Sequence, residues 1–149
     1  MVADPPCTLP DPSLLSRIEG LLWNDSGAIP PEASLAVRGA PISADKFLSH
    51  AARQAREYSL RGHNMVSVSA DLVLPDWPLE RILANQLSTF SRFATCLAED
   101  LVRAGFELLA TGQRPHIDIV LRALDIVEAA RLSEMFAPSE QRNPHKRRR

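Results

Sequence analysis

The chain has 149 residues, a length that favours one domain over two. Apolar residues make up 45% and charged residues 23%, which excludes fibrous, collagenous and wholly disordered chains. No apolar run approaches the roughly 20 residues needed to span a bilayer, so no membrane is expected. The formal charge of −1 hides a split: Arg142, Lys146, Arg147, Arg148 and Arg149 face Glu140 alone, so residues 137–149 carry +4 and the remainder −5. An acidic body argues against broad nucleic-acid binding. The basic end is left for weak electrostatic contact with phosphate or an acidic partner.

Residues 1–12 hold Pro5, Pro6, Pro10 and Pro12 and read as an extended arm. A first helix is expected next, with Asp11 at its cap and Leu14, Leu15, Ile18, Leu21 and Leu22 as its apolar stripe. Residues 24–32 form a loop rich in breakers. Residues 34–39 are a short apolar run closed by Gly39 and Pro41, the pattern of a buried strand. Ser43 caps a second helix whose face is Phe47, Ala51, Ala55 and Tyr58, and Gly62 is placed to end it.

The clearest strand is 66–72, where Val66, Val68, Ala70 and Leu72 alternate with Ser67, Ser69 and Asp71. Asp76-Trp77-Pro78 then opens a third helix, with Leu79, Leu83, Leu87, Phe90, Ala94, Leu97 and Leu101 at spacings of three or four. It reads either as one helix to Ala104 or as two, broken around Ser88 to Ser91, where weak helix formers cluster. Strands are expected at 106–110 and 117–121, joined by a turn, and a last helix at 125–136. The whole reads as an α+β domain over 13–136, a small mixed sheet of about four strands packed with four or five helices, followed by a basic disordered tail over 137–149.

Cys7 and Cys96 are not placed to pair, which suits a reducing compartment. With no basic or apolar leader at the N-terminus, the cytoplasm is the expected location. No glycine-rich phosphate loop, HExxH, paired CxxC or GxSxG occurs, and the four histidines are scattered, so no metal is expected. Trp23, Trp77 and the few other aromatics do not interleave with basic residues, so no stacking platform for single-stranded nucleic acid is expected.

Polar groups inside apolar strands are the candidates for chemistry. Arg38 ends the first strand, where a guanidinium can hold phosphate or carboxylate through two parallel hydrogen bonds; the plainer alternative is a surface arginine paired with an acid. Ser67, Ser69 and Asp71 share a face that either lines a groove or is simply wet. His116 and Asp118 stand two apart on the last strand, where a carboxylate beside an imidazole would favour acid–base work. Glu107 is the other carboxylate able to reach that side.

Val37-Arg38-Gly39 followed by Val66-Ser67-Val68-Ser69 resembles the ADP-ribosyltransferase superfamily of the arginine–serine–glutamate type. The resemblance covers about the middle third of the chain. It implies NAD as cofactor, Arg38 on the NAD phosphates or ribose, and Ser67 and Ser69 shaping the nicotinamide pocket, with Val68 where the family has threonine. It also implies a catalytic carboxylate. No ExE or QxE occurs at a strand start, so Glu107 or Asp118 would take that place. The expectation is an NAD-dependent transferase, a small intracellular toxin or effector acting on a macromolecular acceptor. The alternatives are a non-catalytic interaction protein that binds a protein or nucleic acid with help from the tail, and an acid–base enzyme using His116 and Asp118.

Overall fold

The computed structural model describes residues 22, 23, 27–30, 33 and 35–147. The expected arm and nearly all of the first expected helix lie outside these residues. Ser43 caps α1 (Ala44–Leu60), its hydroxyl accepting from the Lys46 amide at 3.2 Å, and satisfies a donor that the helix itself leaves free. Asp125 does the same for α4 (Ile126–Phe136) through the Glu128 amide at 2.8 Å. The strands are β1 (Leu35–Gly39), β2 (Ser67–Leu72), β3 (Arg92–Leu97), β4 (Glu107–Leu109), β5 (His116–Val120) and β6 (Gln141–Arg142). Two short helices, α2 (Leu79–Ala84) and α3 (Ala98–Arg103), flank β3. None of the helices among the described residues is long and apolar enough to cross a membrane.

The architecture is α+β, but the sheet is larger and simpler than expected. It has six strands in the order β4-β5-β2-β1-β3-β6, and every pairing is antiparallel rather than mixed. One face packs against α1 and α4, where Ala36, Val68, Ala70, Ile117 and Ile119 meet Phe47, Ala51, Leu132 and Phe136. The Phe47 and Phe136 rings sit edge to face at 6.2 Å. On the other face, Val37 and Phe93 pack under Ile82, Leu83 and Leu87.

The third expected helix is where the sequence misleads. Residues 92–97 form β3, not helix, and pair with all five residues of β1. The Leu87, Phe90, Ala94, Leu97 spacing mimics a helix, but the free edge of β1 needs a hydrogen-bonding partner, and tertiary demand overrides the weak local preference. Residues 137–147, expected as a disordered tail, are also tied into the fold. A 3-10 turn (Ala137–Ser139) leads into β6 on the edge of β3, and Asn143, 2% exposed, donates to the Leu87 and Phe90 carbonyls at 2.9 and 3.1 Å. A side-chain amide that satisfies two loop carbonyls anchors a segment whose composition alone reads as a solvated tail.

The parting of two strands positions the cleft. β1 pairs with β2 only through Ala36↔Leu72 and Val37↔Asp71. Past that point the two strands part, so Ser69 on β2 has no β1 neighbour and its backbone groups need other partners. Side chains supply them.

Candidate functional site

Where β1 leaves β2, the amide of Ser69 donates to Nε2 of His50 on α1 at 3.2 Å, and its carbonyl accepts from Arg38. These two side chains replace the missing strand ladder. They also line a cleft of about 470 Å3 between the end of β1, α1, β2 and the segment after α2. Lys46, Ser49, His50 and Arg53 enter it from α1, Ser69 and Asp71 from β2, Phe90 from its rim, and His116 from β5.

Arg38 is the unusual group. Its guanidinium lies 4.9 Å from the centre of the Phe47 ring, and Nε is buried without a hydrogen-bond partner. Arg38 belongs to none of the ion pairs formed among the described residues. Burial, with Arg53 nearby, lowers its pKa to about 10 despite the attraction of Asp71. A desolvated cation without an acid in contact is costly unless something else compensates it.

His50 accepts through Nε2, so its neutral ring carries the proton on Nδ1. Burial and the neighbouring Arg38 and Arg53 drive its pKa down to about 4. Asp71 is pushed the other way, upward, by burial.

His116 stands opposite Asp71 in the β2–β5 register. Its Nδ1 lies 2.9 Å from the Thr111 carbonyl and 3.3 Å from the Thr111 hydroxyl. The turn that brings Thr111 there runs through Gly112, whose φ of +67° suits glycine and whose missing Cβ leaves the ring room.

Asp118 is a different object. It is 0% exposed, and its carboxylate accepts from Ser67 at 3.0 Å, Thr111 at 2.7 Å, Gln54 at 3.3 Å and the Tyr58 hydroxyl. Burial and that carboxylate push the Tyr58 pKa up. The β2 face expected to be wet or groove-lining is therefore divided. Ser67 is sealed on Asp118, Ser69 takes Gln54 on its hydroxyl at 2.7 Å, and Asp71 lines the cleft.

Of the expected site residues, Arg38, Ser69 and His116 meet in the cleft. Ser67 and Asp118 do not line it; Ser67 donates to Asp118, whose carboxylate also accepts from Gln54, Tyr58 and Thr111. Glu107 is elsewhere, on edge strand β4 at the far end of β5, where it pairs with Val120 and lines a separate apolar recess with Ile29, Val102 and Phe106. Its pKa is raised by burial alone. Sequence reasoning missed Lys46, His50 and Arg53, whose spacing along α1 is the signal: a cationic and imidazole stripe beside the apolar one. Among the described residues no group of His, Cys, Asp and Glu is arranged to hold a metal. No known family, curated protein or solved structure matches the chain.

Proposed function

We propose that the protein binds a phosphate-bearing nucleotide in the cleft and acts on it, with NAD as the first member of that class to test. The observation that carries the reading is Arg38, a buried guanidinium with an unpartnered Nε and no acid in contact, in a cleft also lined by Lys46, Arg53, His50 and His116. A ligand pyrophosphate would supply the missing anion through charge-assisted hydrogen bonds. The cleft volume of about 470 Å3 is in the range of small-molecule sites.

On the transferase reading, Arg38, Arg53 and Lys46 hold the phosphates and Ser69 borders the ribose and nicotinamide end. The carboxylate that polarises the ribose is Asp71, since Asp118 has its oxygens occupied by four donors and Glu107 opens onto another recess. A cytoplasmic location and a macromolecular acceptor belong to this proposal; the buried free thiol of Cys96 is compatible with a reducing compartment.

Calorimetric titration of ADP-ribose against wild type, Lys46→Ala and Arg53→Ala tests it. Both exposed cations can be removed without disturbing the core, so weakened binding with an unchanged unfolding midpoint supports the reading. Absence of binding by the wild type ends it. A second reading, a non-catalytic interaction protein, draws on the apolar recess beside the exposed Val102 and on the exposed Lys146 and Arg147. It expects partner binding to survive loss of Lys46 and Arg53 and to weaken with salt.

A further inference from the structure

The hydrogen bonds around His116 fix which of its nitrogens holds the proton. The Thr111 carbonyl can only accept, so His116 Nδ1, 2.9 Å away, must donate. The Thr111 hydroxyl gives its own proton to Asp118 at 2.7 Å and so faces Nδ1 as an acceptor too, at 3.3 Å. The carbonyl contact thus places the proton on Nδ1, the hydroxyl of the same residue is consistent with it, and Nε2 of the neutral ring is left a bare lone pair. Among the described residues that nitrogen has no protein partner, and His116 borders both the Arg38 cleft and a smaller neighbouring recess lined by Gln54, Tyr58 and Arg61. His50 offers no second base, because its Nε2 lone pair is spent on the Ser69 amide.

We propose that His116 is the catalytic base of this cleft: Nε2 takes the proton of a hydroxyl nucleophile, water when no acceptor is bound, as that oxygen displaces a leaving group that departs without a proton. The inference rests on the nucleotide reading above. The cleft pairs one ring able to accept a proton with cations that hold charge, and a leaving group that departs without a proton needs nothing more from it, the other imidazole having its Nε2 on the Ser69 amide. A nicotinamide nucleotide meets that constraint. The nucleophile oxygen forms its bond to the ribose anomeric carbon, the carbon–nitrogen bond breaks, and its electron pair stays on the pyridine nitrogen, so nicotinamide leaves neutral. The nucleophile's proton rests on His116 and passes to solvent. Thr111 is a positioning residue that fixes the tautomer, and Asp71, opposite in register, faces the imidazolium that forms.

The charged groups around the ring are Asp71 from β2, Arg38 from β1, Lys46, His50, Arg53 and Glu57 from α1, Arg61 at the cap of α1, and Asp118 on its own strand. Nicotinamide release from NAD is measured across pH for wild type and His116→Asn, whose side-chain amide keeps a donor for the Thr111 carbonyl, alongside ADP-ribose binding. The expected result is a rate at least about a hundredfold lower in His116→Asn, with ADP-ribose affinity within about threefold and the acid limb of the wild-type profile gone. Nitrogen-15 shifts of the wild-type imidazoles should show His116 protonated on Nδ1, a reading that holds whether or not the variant folds. ADP-ribose binding without nicotinamide release, an unchanged rate in His116→Asn, or a proton on Nε2 overturns the proposal while leaving the nucleotide site standing. Failure of ADP-ribose to bind overturns both.

Discussion

Asp118 and Arg38 are both ionisable groups taken out of water on the same sheet, and they are treated in opposite ways. Asp118 is surrounded by four donors, from α1, β2 and the turn before β5. Among the described residues Arg38 keeps one hydrogen bond, to the Ser69 carbonyl, and a buried Nε with nothing to bind. A carboxylate whose lone pairs are all occupied is a structural joint, here tying α1 to β2 and β5. A cation left short of an acceptor is the feature that the proposed ligand phosphate would complete. Burial alone does not separate the two; the inventory of partners does.

The largest effect expected from breaking this contrast is at the joint. Asp118→Ala removes the acceptor of Tyr58, Ser67, Thr111 and Gln54 together, and should cost about 3 kcal/mol, since stranded buried donors cost more than the bonds they lose. In a domain of this size the unfolding midpoint should fall by roughly 10 °C. Asp118→Asn keeps one oxygen and should lose less. The matching change at the site, Arg38→Met, removes an uncompensated buried charge and should leave stability within about 1 kcal/mol in denaturant unfolding. Its effect should appear in binding, as a loss of about thirtyfold in ADP-ribose affinity, the ~2 kcal/mol of a desolvated charged contact. Equal losses of stability in the two variants would erase the distinction drawn between the residues.

How much of this the sequence discloses depends on how local each cause is. Helices α1 and α4 announce themselves because their caps, Ser43 and Asp125, stand next to an apolar stripe. β2 does so because strict alternation admits only one period. β3 stays hidden because Phe90, Ala94 and Leu97 satisfy helical spacing, while the thing that makes it a strand, the open edge of β1, is distant in sequence. β6 and Asn143 depend on loop carbonyls that no nearby residue reveals. The site divides the same way. Arg38, Ser69 and His116 stand out as polar residues in apolar strands, yet Asp118 and Ser67 look identical in sequence and serve the core. Only the fold shows where their hydrogen bonds end. Lys46, His50 and Arg53 read as the solvated side of a helix until the parting of β1 from β2 turns that side into a wall.

A subtler way to sharpen the contrast uses pH, because two cleft residues pull stability in opposite directions. His50 has a folded pKa of about 4 against 6.5 for the free side chain, so the unfolded chain binds more protons between these values. Stability from its neutral form is complete above 6.5 and is lost as pH falls toward 4. Asp71 is raised above 3.8 by burial, so the folded chain binds more protons just above that value, and stability falls as pH rises there. His50→Gln, which retains an acceptor for the Ser69 amide, should flatten the loss on acidification. Asp71→Asn should raise the unfolding midpoint at neutral pH and lose that advantage below about pH 4. Thermal unfolding followed from about pH 3 to pH 8 separates the two.

The smallest expected effect concerns the rim. Gly39 closes β1 beside the cleft, and a Cβ built there would stand 2.4 Å from Cδ1 and 2.5 Å from Cγ of Phe90, too near for the ring to stay. Phe90 is 37% exposed, so the ring can swing away at little cost, and Gly39→Ala should change stability by less than about 1 kcal/mol. What changes is the rim's shape. The displaced ring should alter ADP-ribose affinity a fewfold while the imidazole nitrogen shifts of His116 stay where they are. Combining Gly39→Ala with Phe90→Ala supplies the check, since an effect transmitted through the ring disappears once the ring is gone, and a double-mutant cycle would then return a coupling as large as the Gly39→Ala effect itself. Additive effects would place the influence of Gly39 on the strand end instead, at the point where β1 parts from β2.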